Sequence, residues 1–280
     1  MVDAAFLPGL TVAIAIPLIA ARNRRNALVV AAVAGLALVN IGFHVATLSG
    51  YGPAVGQGAL LPAFDLLALL MTVIAGRVIP LFTRNAVPGA RPVTIRSLDM
   101  AAIGLIGVIL LVDLTHPALP PAALAGLFAL TALVHAVRLT LWDPLATRGQ
   151  PLLWCLPLSY AWLPLAFALR TSAMLGAPGH LVLAQHGLAV GAMGGLMLAM
   201  MIRSSRGHTG RPLKAGTVES LIFVLIQGAA LFRIGPGLAD LGSAMASWGA
   251  AALCWSAAFA LFVLRYGPWL MGPRADGKPG

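Results

Sequence analysis

Nine stretches of this chain are apolar over 17 or more residues each, and few folds can accommodate that. They fall at about 4–21, 27–48, 59–81, 98–114, 121–141, 152–169, 180–202, 217–233 and 239–264. About 20 apolar residues in a helix cross the hydrocarbon core of a bilayer. In lipid a backbone must satisfy its hydrogen bonds within its own segment, which helices do and open strands do not. A transmembrane barrel would alternate apolar and polar residues, whereas these runs are continuous. Composition agrees: 60% of residues are hydrophobic and 9% charged, against about 25% charged in soluble domains. Mean hydropathy is +0.93. The expected fold is all-α, a polytopic transmembrane bundle of about nine helices. Residues 1–267 are expected to form a single transmembrane domain and 268–280 a short cytoplasmic tail.

The charged residues test the count. There are 18 Lys and Arg against 8 Asp and Glu, net +10. In a soluble protein this excess would suggest nucleic acid. Here sixteen of the 18 fall on alternate connections: Arg22, Arg24 and Arg25; Arg77, Arg84, Arg91 and Arg96; Arg138 and Arg148; Arg203, Arg206, Arg211 and Lys214; Arg265, Arg274 and Lys278. Only Arg170 and Arg233 lie on the other side. One missed span would scramble that alternation. Basic loops stay cytoplasmic, so the N-terminus is expected outside and the C-terminus inside. Asp3 is the only charge before the first run, which therefore lacks the basic start of a signal peptide. Cys155 and Cys254 both sit in apolar runs and form no CxxC.

Ionisable residues inside spans are costly and point to function. His44 lies near the outer end of segment two. His186 lies ~9 Å inside the outer end of segment seven, and His135 ~9 Å from the inner end of segment five, at ~1.5 Å per residue. Two imidazoles at one depth, His44 and His186, suit one haem iron or a shared copper site. From spacing alone, hydrogen bonds that hold neighbouring helices are the plainer reading. His135 with Arg138 reads as a polar patch near the opposite surface. His116 and His180 read as interfacial, and His208 as a cytoplasmic loop residue.

Segment seven carries Gly187, Gly191 and Gly195, a small-residue ridge that admits close helix approach. Met193, Met197 and Met200 form a stripe that fits core packing better than Cu(I). Pro157 and Pro164 predict a bend in segment six. Asp65 reads as a proton-path or interfacial carboxylate. Glu219 opens segment eight, where a helix dipole favours a negative charge. No Ser-His-Asp, GxSxG, P-loop or HExxH pattern occurs, so no catalytic residue is assigned.

Two polar stretches stand out, GRVIPLFTRN (76–85) and RSSRGHTGRP (203–212). Arginine forks suit carboxylates and phosphates, such as haem propionates, anionic substrates or lipid headgroups. Topological anchoring is the plainer alternative.

GRVIPLFTRNAVPGA and HGLAVGAMGGLMLAMMIRSSRGHTGRP resemble signatures of the NnrS family. NIGFH (40–44), LVH (133–135), PLLW (151–154) and RYGP (265–268) resemble the same family in the same order. The resemblance implies a bacterial inner-membrane protein with haem b and copper, linked to nitric oxide, denitrification and nitrosative stress. It places His44, His135, His186 and His208 at histidine positions of the pattern, as metal-ligand candidates. Arg77, Arg84, Asn85, Arg206 and Arg211 fall in its polar motifs as cofactor-binding candidates. The pattern also has an N-terminal portion with a His-x-His-Glu-Met motif, and the expectation is that this chain lacks it. The function expected is to bind or process nitric oxide, or to protect iron centres from it. The alternative is a transporter without a redox cofactor. Expected partners are the lipid bilayer and nitric oxide; nucleic acid is not expected.

Overall fold

The computed structural model describes residues 2–22, 26–49, 60–238 and 244–277. Arg24, Arg25, Lys278 and the first residues of the third and ninth expected spans lie outside these. Among the described residues, nine helices are long and apolar enough to cross a membrane. The chain is an all-α, multi-pass membrane protein.

The helices are α1 Val2–Ala20, α2 Ala27–Leu48, α3 Leu60–Ala86, α4 Arg96–Thr115 and α5 Pro121–Leu141. A short 3-10 turn, Pro144–Thr147, leads to α6 Pro151–Tyr160 and α7 Trp162–Met174, the two halves of one span. The next span begins with α8 His180–His186, passes through a π-helix Gly187–Gly194 and continues as α9 Gly195–His208. α10 Thr217–Leu238 and α11 Ala244–Met271 follow.

The break in the sixth span falls at Ala161, between the two prolines. Pro164 has no N–H to give the Tyr160 carbonyl, and its ring crowds that carbonyl. The interruption of the helix at Ala161 follows from this.

Two polar motifs lie differently from expectation. Arg77, Arg84 and Asn85 ride on the last turns of α3, and Arg203, Arg206 and His208 on those of α9. His208 ends a helix and is not a loop residue. Basic side chains are favourable near a helix C-terminus, and α3 runs on through Pro80 to end only before Pro88 and Gly89, as α9 runs on through Gly207 to end before Gly210 and Pro212. Gly210 takes φ +69, Arg211 N–H bonds the Arg206 carbonyl at 2.9 Å and Gly210 N–H bonds the Gly207 carbonyl at 3.2 Å. This is the Schellman ending, which turns the chain sharply back.

The chain divides into two compact units, residues 1–74 with 100–118, and residues 75–99 with 119–280. In the first unit α1 lies along α2, and Gly35 lets α2 approach Leu66 of α3 closely; a Cβ there would sit 3.1 Å from the leucine methyls. Ala32, Val33, Ala37, Leu66, Leu69, Ile106 and Ile109 are buried. Asp65 is buried.

In the second unit α5 packs on α7, α10 on α11, and the π-helix on α7 and α10. Phe128, Tyr160, Leu163, Phe167, Leu198, Ile202, Phe223 and Tyr266 are buried, while Leu130, Leu133, Val224, Leu231 and Leu264 point outward. Large apolar residues on the outside are a liability in water and normal against lipid. Met197, in the methionine stripe, is exposed and packs no core.

Candidate functional site

Among the described residues, three polar clusters stand out in the second unit. The first lies toward the α5 C-terminus. Arg138 Nε donates to Asp99 Oδ1 at 2.9 Å, and its NH2 approaches the same oxygen at 2.8 Å. Its NH1 donates to the Tyr160 hydroxyl at 2.7 Å. Trp142 covers the guanidinium, 5.1 Å from ring centroid to carbon. The fit depends on Gly76, because a Cβ there would collide with the Arg138 NH2. The site therefore draws on α3, α4, α5 and α6.

His135, one helical turn before Arg138, extends this cluster. It is fully buried, with its ring over Phe167 at 5.9 Å and its Nδ1 2.6 Å from the Tyr160 hydroxyl. Arg138 already uses one lone pair of that oxygen. If Tyr160 donates to Nδ1, the ring proton sits on Nε2. If Nδ1–H donates to Tyr160, Nε2 is a bare lone pair. In both tautomers Nε2 is buried with no hydrogen-bond partner among the described residues. A buried polar group left so costs about 1–3 kcal/mol, and in a native structure such a group calls for an explanation, such as strain, a redox role, a water or an ion.

The second cluster lies where α9 ends, α10 begins and α11 ends. Glu219 is buried at the third position of α10. Its Oε2 accepts the Gly216 N–H at 2.7 Å, which is the carboxylate half of a capping box. Its Oε1 accepts from Arg206 NH2 and from the Tyr266 hydroxyl, both at 2.7 Å. Arg206 also donates through Nε to Tyr266 at 3.1 Å and through NH1 to the Pro212 carbonyl at 3.0 Å. Every arm of Arg206 is thus bound by protein. The helix-start role expected of Glu219 is real, and its larger role is to hold Arg206.

The third cluster sits at mid-span. Trp162 Nε1 donates to Gln227 Oε1 at 2.7 Å, and Gln227 Nε2 donates to Ser159 Oγ at 2.9 Å. These groups press on the glycine ridge: a Cβ at Gly191 would strike Trp162, and one at Gly195 would strike Ser159. The ridge thus admits the side chains of α6 and α7. A π-helix at this point is the kind of irregularity that often accompanies function.

The other histidine candidates are engaged separately. His44 Nε2 is 2.8 Å from Asp3 Oδ2 in the first unit, and Asn40 donates to the same oxygen at 3.1 Å. In the second unit His186 Nδ1 lies 2.8 Å from the Val182 carbonyl, to which it donates. Its Nε2 accepts from Arg233 NH2 at 2.7 Å, and Arg233 rests on Trp248. Both ring nitrogens of His186 are thereby occupied, which leaves no lone pair for a metal. His208 is exposed. Among the described residues no three His, Cys, Asp or Glu side chains gather as a metal site.

Of the arginine candidates, Arg84 donates to the Pro92 carbonyl at 3.1 Å. Asn85 is exposed and Arg77 half-buried. Arg211 stacks on Trp269 at 4.3 Å and reaches the Thr209 carbonyl only at 3.4 Å. Tyr160, Asp99, Gln227, Tyr266 and Trp269 were not expected from the sequence. Only the RYGP resemblance touched one of them, at Tyr266.

No curated protein and no solved structure matches the chain. The family model described as NnrS protein matches residues 1–274, nearly its whole length. The chain belongs to the NnrS family.

Proposed function

We propose that this chain is an inner-membrane haem protein of the nitric oxide response, which binds or processes nitric oxide or shields iron centres from it. Family membership supports the nitric oxide assignment. The observation that carries the haem assignment is the buried, unpartnered Nε2 of His135. His135 would hold the iron in the tautomer whose Nδ1–H donates to Tyr160, an outer-shell bond that orients a ligating imidazole. Haem bound there would supply an iron with affinity for nitric oxide. Tyr160 would set the ring's direction, and Arg138 would fix Tyr160.

Copper enters this reading from the family alone. The described residues do not bring three His, Cys, Asp or Glu ligands together for it, and His186 has no free nitrogen. Arg77, Arg84 and Asn85, on the last turns of α3, are the better candidates for haem propionates. Each of the three guanidinium nitrogens of Arg206 is already bonded to a protein group. The alternation of basic residues supports an outside N-terminus and a cytoplasmic C-terminus.

The test is a visible spectrum and metal analysis of the purified full chain. A Soret band is expected, and His135→Ala should abolish or shift it while His186→Ala leaves it in place. A colourless preparation would overturn the haem assignment, and a band unchanged in His135→Ala would remove the histidine from it. One observation favours transport as a second reading: the sixth span breaks at Ala161 and the seventh loosens into a π-helix, and both irregularities lie near mid-span, where transporters bind substrate. Metal-independent solute uptake into liposomes containing the chain would support that reading.

A further inference from the structure

Three arginines surround one tryptophan where α9 and α11 end and α10 begins. The guanidinium carbons of Arg206, Arg211 and Arg265 lie 5.4, 4.3 and 4.8 Å from the Trp269 ring centroid. The Schellman turn brings Arg211 back to this ring, and Arg265 reaches it from one helical turn earlier on α11.

Among the described residues, Glu219 is the carboxylate paired with Arg206 and nearest to Arg265. Glu219 binds Arg206 at 2.7 Å, but Arg265 Nε stays 3.9 Å away, beyond a hydrogen bond. Arg211 has the tryptophan face and one long carbonyl contact. The neighbouring Arg274 and Asp276 neutralise each other, at 2.7 and 2.9 Å. The cluster therefore keeps two positive charges in excess, held by cation–π contacts around one half-buried ring. Like charges gathered this closely repel unless an anion joins them. The planar forks of Arg211 and Arg265 suit phosphate oxygens.

The surroundings point to the source of the phosphate. Leu264, Leu270 and Met271, on the same helix, are exposed apolar residues at 75%, 55% and 85%. A ligand held by Arg211 and Arg265 would thus have an apolar surface beside it for its tails. Trp269 is half-buried, as an interfacial aromatic is. We propose that Arg211, Arg265 and Trp269 bind the phosphate of an anionic phospholipid headgroup. Arg206 and Glu219 form the floor of this site and are not ligands. The site is independent of any haem at His135.

The test titrates the full chain, purified in neutral detergent, with short-chain phosphatidylglycerol, short-chain phosphatidylcholine and inorganic phosphate, read by native mass spectrometry. Phosphatidylglycerol should bind about tenfold or more tightly than phosphatidylcholine, and the Arg211→Gln, Arg265→Gln double variant should lose about 30-fold of that affinity. Affinity for phosphatidylcholine should not change. Should the double variant fail to fold, Arg265→Gln alone, at an exposed side chain, should cost about fivefold. Equal binding of the two lipids, or undiminished phosphatidylglycerol binding by the folded variant, would overturn the proposal. Displacement of phosphatidylglycerol by millimolar inorganic phosphate would also overturn it, in favour of a soluble-anion site.

Discussion

Arg138 and Arg206 are held in nearly the same way, and what is left over around each differs. Each is bound by a carboxylate, Asp99 or Glu219, and by a tyrosine hydroxyl, Tyr160 or Tyr266. Each lies near a tryptophan, Trp142 or Trp269. Around Arg138 the tyrosine passes on to His135, whose far nitrogen has no partner. Around Arg206 the tyrosine returns to the same carboxylate, closing the ring of bonds, and two further arginines gather outside it. The first cluster therefore has an open imidazole position and the second has surplus guanidinium donors. One suits iron and the other suits phosphate. A buried arginine clamp is thus a means of anchoring helix ends; the residue attached to it sets the chemistry.

The sharpest way to break the comparison is to remove each carboxylate. Glu219→Ala leaves Arg206 buried and uncompensated, which should cost about 3–5 kcal/mol of stability. The Asp99 side chain is 26% exposed against 1% for Glu219. Water can partly replace it, so Asp99→Ala should cost less, about 1–3 kcal/mol. Thermal unfolding in detergent, followed by circular dichroism, ranks the two. Equal losses would mean the clamps do not differ in burial as described.

A glycine pair gives a finer contrast. Gly76→Ala drives a methyl group into Arg138, and overpacking of this kind costs about 1–3 kcal/mol. Gly207, beside Arg206, has nothing within 4 Å of a built Cβ. Gly207→Ala, in a helix, should therefore raise stability by about 0.5–1 kcal/mol. The same unfolding measurement reads both; a destabilised Gly207→Ala would show that the second clamp is tighter than its geometry implies.

The smallest effect separates the tyrosines by function. Tyr160→Phe and Tyr266→Phe should each cost about 1–2 kcal/mol, because each removes hydrogen bonds to a charged group. Only Tyr160→Phe should alter a Soret band, since only Tyr160 touches His135. Only the Tyr266 change should loosen the phosphatidylglycerol site, by way of Arg206 and Glu219. A spectral change in both variants, or in neither, would dissolve the distinction.

The helices were legible because each run is long and apolar, and lipid permits one backbone solution for such a run. The break at Ala161 was legible too, since the lost N–H of Pro164 is a local fact. The ends of α3 and α9 were misjudged, because arginines read as loop residues by polarity while a helix C-terminus welcomes them. His44 and His186 looked alike by depth along their helices. Depth says nothing of what each ring meets, and one meets Asp3 while the other meets Arg233.

The sequence by itself determined the helical class, the number of crossings and the family, because these follow from residue type and order along one dimension. Which histidine is left with an open nitrogen, and which arginines are left with unspent donors, was decided by the tertiary structure. Those outcomes depend on partners 22 to 60 residues away, such as Tyr160 for Arg138 and Tyr266 for Arg206. A hydrogen bond across that separation is set by helix packing, which periodicity within one span does not encode.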